Sequence, residues 1–497
     1  MPCMAAVMPP SGVECTRSLG CKCPECDLSM EALGDFLAEP VASPPRRAAS
    51  GGALSSSVEP YTFAAFDYNE KRKPGSPYDE KSDGKLGSVY TMVAELLSSR
   101  GDWVGQRAWH SKVTDAGHQD EVHLPRRFQL LLGPAQGKGI RFSQLGYGMW
   151  PPPLVNYYRG FNCLCRKAAL IQLLRSANLE SVMPETFLFF PAKSDVEDLN
   201  EYAPLEAAAS SPRNDGGLWI LKPSDGAKGE RIEVMRDLGE IKAFLGKQAE
   251  LCGEPSSAAG GKRSGWVVQR YVDRPLLLRG GRKFDVRCWV VVDAEYRAYL
   301  YREGVLRTGA VPYKVTADNL GDKFVHLTNH CIAEKHPDYG KFEATNEMFY
   351  AEFGAYLQEV CPQETATGSV LDDVILPQFK RIVAQTVAAA RDTMEVRSDY
   401  YRSFHLFGYD FLIDDALKVW LCEINASPAV AEQLMPKLVR DLIAVAIDPH
   451  LPSFQGEQGD DAHAQARSAW EADLNVHRTD LVAPHENGFE LLDEPGA

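Results

Sequence analysis

The stretch Phe404–Pro428 sets isolated polar residues inside long apolar runs, and it is the most informative pattern in the chain. FHLFGYDFLI and KVWLCEIN read as two strands joined by an acidic turn at Asp414, Asp415 and Ala416. Side chains alternate faces along a strand, so Glu423 and Asn425 share one. Asp410 falls on that same face if the loop has an even number of residues. A solvated hairpin explains Asp414 and Asp415 as turn residues but explains poorly the acids inside the apolar runs. Three converging oxygen-bearing side chains are hard ligands, which suit magnesium, and magnesium suits a nucleotide phosphate.

Short apolar runs predict further strands at Tyr61–Tyr68, Phe128–Leu132, Trp219–Lys222, Ile232–Met235, Trp266–Val272 and Val286–Asp293. Helical spacing predicts helices over Gly87–Arg100, Met348–Val360, Ile375–Val396 and Leu438–Ile447, and a basic helix within Val155–Leu174. Glu201–Gly217 and Gly253–Gly265 read as loop inserts. From Pro449 onward the chain is acidic and weakly periodic, a tail with room for one helix near Ala462–Leu474. The result is an α/β (α+β) fold. Its expected segments are a flexible extension over 1–59, a small α/β domain over 60–154, a central unit over 155–265, a C-terminal unit over 266–450 and an acidic tail over 451–497.

Composition narrows the function. A net charge of −15 opposes a general nucleic-acid binder and requires any acidic partner to meet a local basic patch. Arg126, Arg127, Lys138, Arg141, Arg159, Arg166 and Lys167 are the candidates for that patch, although a charge run also fits an ordinary solvated face. No apolar run is long enough for a membrane span, and no secretory signal is expected at the start. Twelve cysteines, several in strand-like apolar runs (Cys288, Cys331, Cys422), fit a reduced cytoplasmic compartment. Cys3, Cys15, Cys21, Cys23 and Cys26 cluster early, but without a second CxxC pair they signal zinc only weakly.

Three further motifs carry chemistry. WILKPSDGAKGERI places Lys222, Ser224, Gly226, Lys228 and Gly229 in a strand–loop–strand where small residues let backbone amides approach an anion. Its spacing differs from the P-loop, and a surface hairpin fits it equally well. KFDVR puts Lys283, Asp285 and Arg287 on one strand face, as a site wall or a solvated sheet face would. HLTNH brings Thr328 and Asn329 together, for phosphate or sugar or simply as a polar turn.

The order of these motifs resembles the ATP-grasp ligases of the tubulin tyrosine ligase-like family, from about Tyr61 to about Pro449. VNYYRG, CRKA, RPLLL, YLYREGVLRT, HLTNHCI and NEMFY resemble the tyrosine-adding branch more than the glutamylating or glycylating ones. The resemblance implies ATP held between two sheet-bearing lobes. Lys167 and Lys222 would contact phosphates under the loop from Ser224 to Gly229, Lys228 included. Gln269, Arg270, Tyr271 and Val272 would form the hinge along the adenine. Lys283 and Asp285 would reach the nucleotide, Thr328 and Asn329 the ribose and phosphates, and Asp410, Glu423 and Asn425 would hold Mg2+. Arg287 and Arg307 match arginines at the acyl-phosphate centre, and Arg159 and Arg166 match positions implicated in docking tubulin.

The implied activity is ATP-dependent addition of L-tyrosine to the C-terminal glutamate of detyrosinated α-tubulin, by a monomer associated with the cytoskeleton. The alternatives are a tubulin polyglutamylase or glycylase, a non-catalytic tubulin-binding module and a small-molecule ligase. Three departures stand out: Asp225 in the phosphate loop, Arg231 where relatives usually carry glycine, and Cys163 in place of a basic residue.

Overall fold

The computed structural model describes residues 60–66, 88–100, 102–111, 121–137, 140–149, 151–190, 201–211, 217–226, 229–253, 265–361, 368–394, 398–451 and 487–493. The chain divides into Met1–Glu59 and Pro60–Ala497, and every described residue lies in the second unit. The early cysteine cluster, Lys138, Lys228 and the expected helix at Ala462–Leu474 lie outside the described residues.

Among the described residues, three sheets organise the second unit. The first has a parallel centre in which Tyr61–Phe66 pairs with both Trp103–Ser111 and Leu130–Leu132. Strands YTFAAF and LLL are nearly continuous apolar runs because both of their faces are covered. One cover is the helix Ser88–Arg100, which buries Val89, Val93, Ala94 and Leu97 on one stripe. Leu154–Val155 and then Arg402–Ser403, from far along the chain, complete this sheet on one side.

The second sheet is antiparallel, with Thr186–Phe189, Trp266–Arg270, Trp219–Pro223 and Glu233–Met235 in that spatial order. The third runs Glu347–Phe349, Ala298–Pro312, Arg282–Val292, His405–Ile413 and Val419–Asn425, with Phe489–Leu491 added beside Ala298–Pro312. The helix Leu376–Met394 packs on it through Phe379, Ile382, Val383, Val387 and Ala390. Phe379 stacks on Phe411 at 4.5 Å, and the Thr386 and Tyr409 hydroxyls meet at 3.0 Å. Burying one such phenylalanine contributes about 1.5–3 kcal/mol.

Several expectations are corrected. The basic helix is two helices, Asn162–Cys165 and Lys167–Ser176, separated by Arg166 in an extended conformation. The second one restarts against the glycine-containing loop, where Ser224 accepts from the Lys167 and Ala168 amides. The first half of the supposed insert at Glu201 is the helix Tyr202–Ala209, with Leu205 fully buried and Tyr202 against Phe189. Met348 belongs to a short strand rather than to the helix that follows, Tyr350–Val360. The region read as an acidic tail returns to the sheet at Phe489. Arg307, for which the sequence suggests a place near a strand end, sits within the 15-residue strand Ala298–Pro312.

Candidate active site

A cleft with about 910 Å³ of empty space opens between the second and third sheets. Period-2 alternation decides what faces it. On one wall Ile220 and Lys222 stand two residues apart on Trp219–Pro223. The Lys222 Nζ donates to Gln269 Oε1 at 2.9 Å, and Gln269 Nε2 donates to Thr186 Oγ1 at 2.9 Å. Burial lowers the Lys222 pKa, and the charge of Lys167 adds to that, against the pull of Cys422 and Glu423.

The opposite wall is a ladder of charges on adjacent strands. Asp285 lies opposite Arg307, and Arg287 opposite Asp410. Such cross-strand partners are close enough to bond directly. Arg287 grips Asp410 with both Nε and Nη2, the latter at 2.9 Å from Oδ2. Arg307 bridges the two acids, with Nε 2.6 Å from Asp285 Oδ1 and Nη2 2.9 Å from Asp410 Oδ2. Gly408 makes room for this packing: a Cβ there would stand 2.5 Å from Pro428 Cβ and 3.2 Å from Arg287 Cδ.

The two carboxyls titrate in opposite directions. Burial pushes both upward. At Asp410 two guanidiniums overcome it and hold the carboxyl far below the usual range. At Asp285 burial is opposed chiefly by Arg307 and is reinforced by the negative charge of Asp410, so its pKa is raised. The Thr328 hydroxyl also donates to Asp285.

Beside this ladder, Glu423 lies opposite Asp410 in the hairpin register. Asn425 Nδ2 is 3.3 Å from Asp410 Oδ2 and 3.4 Å from Glu423 Oε1. Turning that amide would present its oxygen to the same point. Two carboxylates and an amide oxygen are a hard donor set that fits magnesium completed by phosphate oxygens and water. Lys167 Nζ sits 3.3 Å from Glu423 Oε2 and donates to the Gly226 carbonyl at 2.8 Å, tying the glycine loop to this corner.

The loop itself needs glycine at position 229. Its φ is +72°, and a Cβ there would come within 2.6 Å of Ile332. Arg231 also adopts a left-handed φ, 53°, the region glycine populates most easily, and its guanidinium stands over the Trp266 ring at 5.7 Å. Asp225 is exposed and does not line the cleft.

Of the residues singled out from sequence, Lys167, Lys222, Gly226, Gly229, Gln269, Arg270, Tyr271, Val272, Lys283, Asp285, Arg307, Thr328, Asn329, Asp410 and Glu423 all line this cleft. Arg287 and Asn425 touch it through Asp410. Ser224 does not line it, because its hydroxyl is engaged at the start of the helix Lys167–Ser176. The Arg270 side chain pairs with Glu185 at 2.7 Å and stacks on Trp219 at 4.6 Å. Arg159 and Arg166 are not among the lining residues; Arg166 is exposed and Arg159 half-buried. Ile220, His326, Leu412 and Cys422 also line the cleft. The sequence reading missed these four, although Ile220 and Leu412 stand two residues from Lys222 and Asp410 and so share their strand faces.

Tubulin glycylase 3C of Tetrahymena thermophila is 30% identical over 242 residues, 46% of this chain and 20% of that protein. Tubulin glycylase 3B of the same organism is 29% identical over 239 residues, 46% of this chain and 18% of that protein. Tubulin monoglycylase TTLL3 of Danio rerio is 32% identical over 250 residues, 47% of this chain and 30% of that protein. The aligned part is therefore less than a third of each of these relatives. The model of the "Tubulin-tyrosine ligase family" matches residues 151–458, more than half of the chain, and the chain belongs to that family.

Proposed function

We propose that this chain is an ATP- and magnesium-dependent ligase that joins the amine of a free amino acid to a carboxyl group of tubulin. The observation that carries the reading is the meeting, in one cleft, of Lys167, Lys222 and Lys283 with the Asp410–Glu423–Asn425 oxygen set and the Arg307 bridge. The fold reading that accompanies it is ATP-grasp, with the nucleotide held between the second and third sheets as two lobes. Gln269 to Val272 would follow the adenine, and Thr328 and Asn329 the sugar and phosphates. The domain limits expected from sequence stand with it as part of the proposal, with Trp266–Arg270 counted in the sheet it pairs with.

In the reaction the acceptor carboxylate attacks the γ-phosphorus of ATP, ADP leaves, and an acyl phosphate forms. The amine then attacks the acyl carbon and phosphate leaves. Magnesium, held by Asp410, Glu423 and Asn425, would offset phosphoryl charge as a Lewis acid. Lys167 and Lys222 offset charge on the phosphates through their ammonium groups. Arg307 commits Nε and Nη2 to Asp285 and Asp410. Its remaining N–H groups are the donors suited to the acceptor carboxylate and to the oxyanion that develops on it. Arg287 keeps Asp410 ionised and oriented.

For the amino acid, the names of the relatives favour glycine. The tyrosine reading rests on the stretches VNYYRG, YLYREGVLRT and HLTNHCI. The partner in either case is the α/β-tubulin dimer, which associates the chain with the cytoskeleton. No described helix is long and apolar enough to cross a membrane. Incubation with ATP, Mg2+, tubulin and an equimolar mixture of labelled glycine, tyrosine and glutamate tests the reading. ATP-dependent label on tubulin supports ligation, and the identity of the label selects the amino acid. Label that does not depend on ATP, or none on any tubulin preparation, overturns the proposal.

A further inference from the structure

His326 lines the cleft, is 3% exposed, and has no part in the mechanism above. Both of its ring nitrogens are engaged. Nε2 lies 3.0 Å from the Asn319 carbonyl oxygen, which can only accept, so Nε2 carries the proton. Nδ1 is therefore an acceptor, and the Tyr271 hydroxyl, 2.8 Å away, donates to it. With its proton committed, the Tyr271 oxygen can only accept from the next group, Lys283 Nζ at 2.9 Å. The same ammonium donates to the His326 carbonyl at 3.0 Å. The donors thus run in one direction, from Lys283 through Tyr271 and His326 to Asn319.

We propose that His326 is a positioning residue for Lys283: its Nε2–H tautomer, fixed by Asn319, makes the Tyr271 hydroxyl an acceptor and so holds the Lys283 ammonium in the nucleotide cleft. The idea rests on the ligase reading only for the identity of the ligand, not for the bonding. Other groups facing the chain are accounted for. Lys222, Asp285, Cys422 and the Tyr313 ring face Lys283, Asp322 faces His326, and Asp273 and Tyr313 face Tyr271. Burial, the largest influence, brings the Lys283 amine down to about 8, so the loss of one acceptor is read where the assay is sensitive.

The test is the pH dependence of Lys283 acetylation by trace acetic anhydride in the nucleotide-free full chain, resolved by peptide mass spectrometry. Wild type is expected to half-titrate at about 8. Tyr271→Phe removes an acceptor of the charged amine, and His326→Phe removes the ring nitrogen that takes the Tyr271 proton and so leaves that hydroxyl free to turn from Lys283; each should lower that midpoint by about one pH unit. His326→Asn, whose Oδ1 replaces Nδ1 as acceptor, should keep the wild-type midpoint. A merely structural role would move melting temperature without this pattern. An unchanged midpoint in Tyr271→Phe, which removes only a hydroxyl, or a fall in His326→Asn as large as in His326→Phe, overturns the proposal. A parallel arm with Mg-ATP reads protection of Lys283. Absence of protection in wild type counts against the ligase reading and leaves the nucleotide-free result to decide the role of His326.

Discussion

Arg307→Ala is the most exacting perturbation of the charge ladder. The guanidinium is largely buried and joins Asp285 and Asp410 at 2.6 and 2.9 Å. Its removal leaves Asp410 with Arg287 but strips Asp285 of its guanidinium, leaving the Thr328 hydroxyl as its donor. Breaking a buried pair on one side costs about 3–5 kcal/mol, mostly as an uncompensated buried charge. The pH dependence follows from the same residue. The Asp285 pKa is already raised in the folded state, and loss of Arg307 raises it further. A raised carboxyl stabilises the folded state below its unfolded value and gives up that contribution as pH rises through the folded value. The difference between variant and wild type should therefore grow with pH.

Urea unfolding, followed by tryptophan fluorescence at about pH 5.5 and about pH 7.5, reads both quantities. The expected loss is about 3–5 kcal/mol at the higher pH and smaller at the lower. Adding Asp285→Asn to Arg307→Ala should recover part of the loss, because the stranded charge is gone. A loss under about 1 kcal/mol, or one equal at both pH values, would refute the assignment of Arg307 as the counter-charge of a buried acid pair.

Glu423→Gln should abolish ligation and leave the melting curve near wild type, since it removes one charge from the oxygen set and keeps its shape; a wild-type rate of label incorporation would take Glu423 out of the mechanism. Truncation after residue 486 should destabilise the chain by about 3 kcal/mol, since it exposes the pocket that Phe489 fills against Tyr301 at 4.8 Å and breaks the Leu492 amide bond to the Ala298 carbonyl. An unchanged urea midpoint would show that the added strand is dispensable. Arg159→Ala should weaken tubulin binding more at low salt than at high salt if it docks an acidic surface, and a salt-independent effect in a binding titration would exclude that role.

How far the sequence discloses this site depends on how local each signal is. Asp410, Glu423 and Asn425 were legible because acids inside apolar runs violate the strand pattern, and period 2 alone puts the last two on one face. Their common face with Asp410 is not set by the hairpin loop: Ile413 pairs with Val419 across the five residues Asp414 to Lys418, closed by Asp414 accepting from the Ala416 and Lys418 amides, and this odd loop alone would set Asp410 opposite Cys422. A bulge in the register between Asp410 and Phe411 moves its partner to Glu423. Arg307 was not legible from its own surroundings. Its partners come from register, which sets Asp285 opposite Arg307 and Arg287 opposite Asp410 across three strands. The break at Arg166 was hidden for a different reason. Nothing in CRKAALIQ opposes a continuous helix, and what restarts it is a bond from the Ala168 amide to a serine 56 residues away in sequence. Phe489–Leu491 is only three residues long, and its strand state depends on an open edge of Ala298–Pro312, not on any propensity of FEL. His326 is the limiting case. In sequence it is one polar residue among four in HLTNH, and the direction of its hydrogen bonds exists only once Asn319, Tyr271 and Lys283 surround it. The parts of the site that period and composition can encode lie along single strands. The parts that set charge and tautomer lie between them, where only the register of the third sheet and the closure of the cleft bring the partners together.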